Sequence, residues 1–375
     1  MPTIRVAAIG LNHNHIYGQT RAVVNAGAEL VAVHAEEDDL VAAYSQEFPQ
    51  ARRVATRQEI LDDRSIDLVV SATVPDVRAA TAIEVMRHGK DVMVDKPGVI
   101  TLDQLAQVRC VQAETGRIFS VCFSERFETR STVAASRLVA AGAIGRVIQT
   151  LGIGPHALRN LPRPDWFFQR ARYGGILTDI AAHQCDQFLH FTGSSSAEVV
   201  AAHIGNFGNP ETPELEDFGD VVLRGNGGMG YIRVDWFTPR GLGVWGDGRL
   251  TILGTDGYIE LRKYIDIAGR PGADHLFLVD NDGIRHVDCK DEPLPYGPRL
   301  IRDVLDRTET AMAQAHCFLA TELALTAEAK AVRVGRSTLD MDLHVQSRLG
   351  PGRRDDSAAQ GRRRGRVDRG RCRRR

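Results

Sequence analysis

From residue 4 to about residue 122, short runs rich in valine, isoleucine and alanine alternate with longer stretches of helical period. Parallel strands cannot be joined by a tight hairpin and need a helical crossover, so this rhythm marks βαβ units around a parallel sheet. Strands are expected at 4–9, 29–34, 67–71, 91–94 and 118–122, with helices near 15–26, 39–48, 76–87 and 102–115. Pro75 and Pro97 fall where a strand must turn out of the sheet. The expectation is an α/β Rossmann domain over 1–122.

A further helical stretch, 130–141, closes on Gly142, and the rhythm then changes to strands separated by Gly, Asn and Asp turns. Strict alternation is clearest over 230–236. The runs 250–253 and 258–261 are joined by Gly254-Thr255-Asp256-Gly257, a hairpin signal. Helical segments near 299–314 and 316–335 follow. This predicts an α+β domain over 123–343, built on a large, mainly antiparallel, open-faced sheet.

Charge is distributed unevenly. The chain of 375 residues has 47 Lys and Arg against 48 Asp and Glu, yet the last 27 residues hold 11 Arg and only 3 Asp, leaving residues 1–348 at −9. An acidic body gives no footing to a nucleic-acid or membrane partner, so neither is expected. The segment 344–375 has too few apolar residues to offset its ordering entropy and is expected to be a disordered Arg-rich tail, either native or the product of a shifted reading frame.

Six cysteines at 110, 122, 185, 289, 317 and 372 form no CxxC pair, and no apolar run reaches the eighteen or so residues of a membrane span. Reduced thiols and a cytoplasmic location are the expectation.

The turn after the first strand reads Gly10-Leu11-Asn12-His13-Asn14-His15, where a dinucleotide fold wants G-x-G-x-x-G. Only Gly10 is in place. Asn12 tolerates a left-handed backbone and could replace the second glycine, while His15 stands at the third. The pair His13 and His15 has no carboxylate or cysteine nearby in sequence, so no metal site is expected and a cofactor or substrate contact is preferred. At the end of the second strand, Glu36 or Glu37 could bind ribose hydroxyls and repel a 2′-phosphate, which favours NAD slightly over NADP.

Two further segments carry chemistry. Asp95-Lys96-Pro97 ends the fifth run and puts a lysine at the carboxyl edge of the sheet, where its charge can lower the pKa of a substrate alcohol. In Gly174-Gly175-Ile176-Leu177-Thr178-Asp179-Ile180-Ala181-Ala182-His183, a helix from about 177 would put Asp179 and His183 on one face, with Asp186 three residues on. The paired glycines would let the backbone approach a ligand, and His183 beside a carboxylate would be a proton acceptor tuned near neutral pH.

Asp95-Lys96-Pro97 and the Gly174–His183 stretch, with Arg126-Phe127, Gly142-Ala143-Ile144-Gly145 and Leu253-Gly254-Thr255-Asp256-Gly257, run in an order that resembles the Gfo/Idh/MocA family of NAD(P)-dependent oxidoreductases from residue 4 to about 343. The resemblance implies hydride transfer between nicotinamide and a secondary alcohol or carbonyl carbon of a sugar or inositol-like polyol. Lys96 would position substrate and nicotinamide, Asp179 would orient the substrate hydroxyl, and His183 would be the general acid/base. Cofactor contacts would come from Gly10, Asn12, His13, His15, Glu36, Glu37, Lys96 and Pro97. Arg126, His156 and Trp166 are candidates for the substrate pocket alongside the catalytic three.

The family's habit of pairing through the open sheet implies a homodimer or homotetramer, with Trp236 and its neighbours either at that interface or in the core. An NAD-dependent glycosidase of the same fold and a non-catalytic dinucleotide sensor are the alternatives. The chain departs from the family in two missing glycines, in Ala35 where many members carry an acid, and in the Arg-rich tail.

Overall fold

Six strands make the first sheet: β1 (Arg5–Ile9), β2 (Glu29–His34), β3 (Arg52–Arg53), β4 (Leu68–Ser71), β5 (Asp91–Asp95) and β6 (Phe119–Cys122), in spatial order β3-β2-β1-β4-β5-β6. The structure is a computed structural model and describes residues 3–158 and 162–335. All pairings in this sheet are parallel. Every residue of β4, β5 and β6 is buried, as a parallel sheet covered on both faces requires. The strand order reverses between β1 and β4, and a doubly wound sheet opens its cleft at such a point.

The expected strands and crossovers are present, with two additions. Strand β3 is two exposed arginines, so no apolar alternation announces it. The helix Arg57–Asp62 begins at Thr56 and Glu59, which form a capping box.

Nine strands make the second sheet: β7 (Val147–Pro155), β8 (Ala197–Gly205), β9 (Phe218–Gly225), β10 (Met229–Asp235), β11 (Arg249–Gly254), β12 (Gly257–Arg262), β13 (His275–Asp280), β14 (Gly283–Asp288) and β15 (Val332–Arg333). Their order is β14-β13-β12-β11-β7-β10-β9-β8-β15. The sheet is mainly antiparallel, as expected, with parallel pairs at β7/β10 and β8/β15. Strands β11 and β12 form the anticipated hairpin, with Leu253 opposite Tyr258.

One face of this sheet receives the helix Ala181–Thr192 at close range. A Cβ on Gly152 would lie 2.7 Å from Gln184 Cγ, and one on Gly230 2.7 Å from a ring carbon of Phe188, so glycine is what lets helix and sheet meet. On the other face Tyr258, Leu253, Gln149 and Met229 lie in cross-strand register, and Tyr258, Leu253 and Met229 are exposed. Trp236 belongs to the buried core and not to that open face.

The two late helices are Tyr296–Asp306 and Gln314–Lys330, each earlier than expected. The first stops because Asp303 accepts hydrogen bonds from the backbone N–H groups of Thr310 and Ala311 and the hydroxyls of Thr308 and Thr310, folding the chain back at Arg307. The second begins where Gln314 Oε1 accepts the Phe119 N–H of β6 at 3.0 Å, and Phe318 stacks on Phe119. Both sheets lie in one compact unit, Met1–Val334. The expected tail, 344–375, lies outside the described residues. Among those described, no helix is long and apolar enough to cross a membrane, and Cys110, Cys122, Cys185, Cys289 and Cys317 are free thiols.

Candidate active site

The two motifs meet. Lys96, at the carboxyl end of β5, reaches Asp179 across 83 positions of sequence, with Nζ 2.7 Å from Oδ1 and both side chains buried. Burial alone would raise the Asp179 carboxyl, but the Lys96 charge and hydrogen bond outweigh it and hold the group below its ordinary value. His183 is 2% exposed, and its ring stands edge-on to Phe123 at 6.4 Å.

Asp179 and His183 stand one helical turn apart, as expected from their spacing, but do not pair. Ile176–Asp179 and Ala181–Thr192 are successive helices joined through Ile180, whose backbone stays right-handed helical; Asp179 pairs with Lys96, and no described hydrogen bond joins it to His183. Nor is His183 tuned near neutral: burial pushes it down to about 3, against the opposing pull of Glu125. It is a neutral imidazole at pH 7, with Nδ1 buried and unpartnered. His156 also belongs here. Burial and the Lys96 charge take it down to about 4, its Nδ1 faces the Gly154 carbonyl at 3.1 Å, and its ring packs beside Trp236 and Trp245.

Asp95 organises the other side of Lys96. Its fully buried carboxylate accepts the Lys96 N–H at 2.7 Å and Arg78 Nη2 at 3.1 Å, and it faces His13 Nδ1 at 3.0 Å and His15 Nδ1 at 2.8 Å. Burial would raise this group, yet His15, Arg78 and His13 hold it well below the usual carboxylate range. Arg78, 1% exposed on the helix Pro75–Arg87, also donates to the carbonyls of Thr73, Lys96 and Pro97, clamping the turn that carries Lys96.

Sequence reading finds no carboxylate near His13 and His15. The fold supplies one from 80 positions away, which corrects the basis on which a metal was set aside. The three groups lie within 4.8 Å of one another, a spacing at which a cation could be held. In this arrangement both imidazoles lie within hydrogen-bond distance of the carboxylate, which also accepts from Arg78 and the Lys96 N–H.

Gly10, Asn12, Glu36 and Glu37 line one cleft of ≈ 360 Å³ at the switch point, together with Ile9, His34, Arg57 and Thr73. Gly10 has φ +76°, and a Cβ there would overlap Thr73 Cγ2, so the turn demands glycine. Asn12 does not take the left-handed conformation anticipated for it; among the described residues only Asp274 and Arg307 do so without being glycine. Its amide donates to Glu37 Oε1 at 2.6 Å instead. An open cleft at the switch point, a glycine turn feeding the helix His15–Val24 and acids at the rim fit a dinucleotide.

Two residues expected in the pocket, Arg126 and Trp166, make their described contacts elsewhere. Arg126 commits its fork to Asp186, with both bonds at 2.6 Å, and Asp186 also meets His316 Nε2 at 2.8 Å; no described contact joins Arg126 to Lys96, Asp179 or His183. Trp166 sits partly buried in the turn Asp165–Phe168, its ring against Phe167, and likewise has no described contact with those three.

The paired glycines have positive φ and protein side chains lie close to both: a Cβ on Gly174 would meet Ile100, and one on Gly175 would overlap the Glu328 carboxyl carbon. Glu216 Oε2 accepts the Ile176 N–H and Glu328 Oε2 the Leu177 N–H, both at 3.0 Å, so two buried carboxylates cap the short helix that carries Asp179. Arg170 bridges them, and burial together with Glu216 pushes Glu328 up to about 8.

A second unforeseen group lies behind His183. Glu125 Oε2 accepts from Lys263 Nζ at 2.5 Å, Gln184 Nε2 at 3.0 Å and Gln187 Nε2 at 3.3 Å, all buried. Burial opposes its ionisation, but Lys263 dominates and lowers it to about 2. Nothing in sequence spacing links residues 125, 187 and 263.

Comparison with known proteins agrees with this architecture. Residues 4–123 match the model of an oxidoreductase family with an NAD-binding Rossmann fold, and residues 132–260 match the GFO/IDH/MocA C-terminal domain. The chain is 27% identical over 288 residues to the scyllo-inositol 2-dehydrogenase (NAD(+)) of Bacillus subtilis strain 168, covering 74% of this chain and 80% of that protein. A crystal structure from Erwinia carotovora atroseptica SCRI1043, of a protein provisionally described as an oxidoreductase, superposes with a TM-score of 0.86 at 47% identity, over 88% of this chain and 100% of that one. The myo-inositol 2-dehydrogenase of Lactobacillus plantarum shares the fold, with a TM-score of 0.68 at 18% identity over 88% of this chain and 97% of its own.

A doubly wound sheet with its cleft at the switch point, matched over its whole length by a nicotinamide-dinucleotide oxidoreductase model, makes this protein an NAD(P)-dependent dehydrogenase or reductase acting on CH–OH groups. It belongs to the Gfo/Idh/MocA family.

Proposed function

We propose that this enzyme transfers hydride between nicotinamide and a secondary carbon of a sugar or inositol-like polyol, with Lys96, Asp179 and His183 as its catalytic residues. The observation that carries the reading is the buried Lys96–Asp179 pair beside a neutral His183. When bound, the cofactor supplies the hydride acceptor or donor. Lys96 Nζ keeps protons to donate toward the reacting oxygen, and its charge stabilises a developing alkoxide. Asp179 holds that ammonium in place and accepts from a substrate hydroxyl. His183, uncharged at neutral pH, takes the hydroxyl proton in oxidation and returns it in reduction.

Gly10, Asn12, His13, His15, Lys96 and Pro97 would hold the cofactor's pyrophosphate and nicotinamide ends, and Glu36 and Glu37 its ribose. The two acids support NAD over NADP, since a 2′-phosphate would meet them in the same cleft. The exposed row of Met229, Leu253 and Tyr258 supports assembly as a homodimer or homotetramer through the open sheet face. The relationship to the named inositol dehydrogenase supports the polyol class.

The test is the change in absorbance at 340 nm when purified protein meets NAD or NADP and a panel of inositols and sugars. Turnover is expected with at least one of them, and His183→Ala and Lys96→Ala should each cost about 10²–10⁴-fold in kcat. Cofactor binding without turnover across the panel would leave the sensor reading, and net glycoside hydrolysis without net NADH would select the glycosidase.

A further inference from the structure

Among the described residues, Arg163 is a cation without a counter-ion at the edge of the substrate position. Its guanidinium stacks over the rings of Phe167 at 4.8 Å and Trp236 at 5.2 Å. No described carboxylate lies within ion-pair distance of it, its Nε is buried and unpartnered, and Nη2 makes only a long contact of 3.4 Å to the Ala157 carbonyl. Next to it, Trp236 Nε1 is also buried without a partner. The neighbourhood is that of the proposed site: Trp236 packs against His156 at 5.3 Å, and Arg163 is close enough to Asp179 to feel its charge.

An indole N–H and a guanidinium N–H can only donate, so the group that satisfies both must be an acceptor. The fully buried cations of this region are matched, Lys96 by Asp179, Lys263 by Glu125 and Arg78 by Asp95, whereas the partly buried Arg163 is not. One positive charge is left over. A neutral hydroxyl would satisfy one donor and leave that charge unbalanced in a partly buried place, whereas a planar carboxylate offers two acceptor oxygens and one negative charge to the guanidinium fork. A phosphate dianion would bring twice the charge that the site leaves open.

Resting on the reading of Lys96, Asp179 and His183 as the substrate position, we propose that the substrate is a carboxylated sugar or cyclitol and that Arg163, with the Trp236 N–H, binds its carboxylate. Arg163 is then the residue that separates acid from neutral polyols. It belongs to no sequence motif, and its neighbours Pro162, Pro164 and Asp165 read only as a turn, so spacing along the chain does not select it.

The test is calorimetric titration of the full chain, saturated with NADH, with two pairs of probes that differ in the carboxylate, glucuronate against glucose and galacturonate against galactose, and with glucose 6-phosphate. NADH formation from the same compounds is followed in parallel. At least one uronate is expected to bind about 10-fold or more tighter than its neutral partner, with Arg163→Met bringing that ratio to near one and Arg163→Lys keeping part of it. Uronate preference that survives Arg163→Met, equal weakening of both members of a pair, no uronate binding, or tighter binding of the phosphate would each overturn the proposal. Arg163-dependent uronate binding without turnover would sustain it while removing the hydride-transfer reading. Turnover of neutral polyols without carboxylate preference would do the reverse.

Discussion

Lys96 Nζ and Asp179 Oδ1 lie 2.7 Å apart in a buried ion pair that ties the end of β5 to the short helix after Gly175. Removing one partner leaves the other charge buried alone, which typically costs about 3–5 kcal/mol, whereas replacing both by apolar groups is often neutral. Lys96→Met and Asp179→Leu should therefore each lower the denaturation midpoint sharply, and the double variant should be more stable than either. Additive losses in urea melts would mean that the two charges are not coupled.

Asp95 serves four donors or imidazoles at once, so Asp95→Asn replaces an acceptor oxygen with an N–H₂ group that must face other donors. The turn between Gly10 and His15 and the backbone of Lys96 would both loosen. Dinucleotide affinity, read from quenching of tryptophan fluorescence by NADH, should fall about 10-fold or more, with a lower thermal midpoint. Unchanged affinity would show that the cluster is only structural.

Four histidines, His183 buried and the other three partly buried, are kept neutral by desolvation: His13 and His156 near 4, His183 and His190 near 3. Their folded values lie below the unfolded value of about 6.5, so the unfolded chain binds more protons between those limits. Stability should be fully present above about pH 6.5 and be lost as pH falls toward 4 and 3. Near pH 5 the slope from these groups is on the order of 4–5 kcal/mol per pH unit. Chemical melts from pH 7.5 to 5 read it directly, and a flat profile would contradict the burial of these rings.

Glu328 acts in the opposite direction. Its folded value near 8 is above that of a free carboxyl, so the folded state holds a proton that the unfolded state has lost, and stability declines as pH rises through about 8. Glu328→Gln keeps an acceptor for the Leu177 N–H and removes the titration. The variant should hold its thermal midpoint between pH 7 and 9 where the parent loses part of it; parallel decline would assign the effect elsewhere.

The first sheet was legible because βαβ crossovers write themselves as alternating period, and the Lys96 and Asp179–His183 segments stood out by residue type at the carboxyl edge and after paired glycines. What stayed hidden depends on partners far apart in sequence. Arg78 reads as one more charge on an amphipathic helix until its guanidinium is found on the Lys96 turn. Glu216, in the loop before β9, and Glu328, on the last helix, come together only at the turn beside Gly175. The i,i+4 spacing of Asp179 and His183 reads as a pair on one helix, whereas Asp179 takes Lys96 as its partner, a residue 83 positions away. Arg126 was selected by its motif, yet Asp186 claims it.

The helix Gln314–Lys330 bonds to β6 at its first residue and, through Glu328, to the turn that presents Asp179 at its last full turn. Glu328 and Leu177 are separated by 151 positions. During synthesis from the N-terminus, the strands β1–β6 can therefore assemble while Asp179 still lacks its support, since domains form as units in the order they emerge. A C-terminal truncation that removes residue 328 therefore strips the Leu177 N–H of its cap and withdraws one of the two carboxyl groups that hold the turn before Asp179.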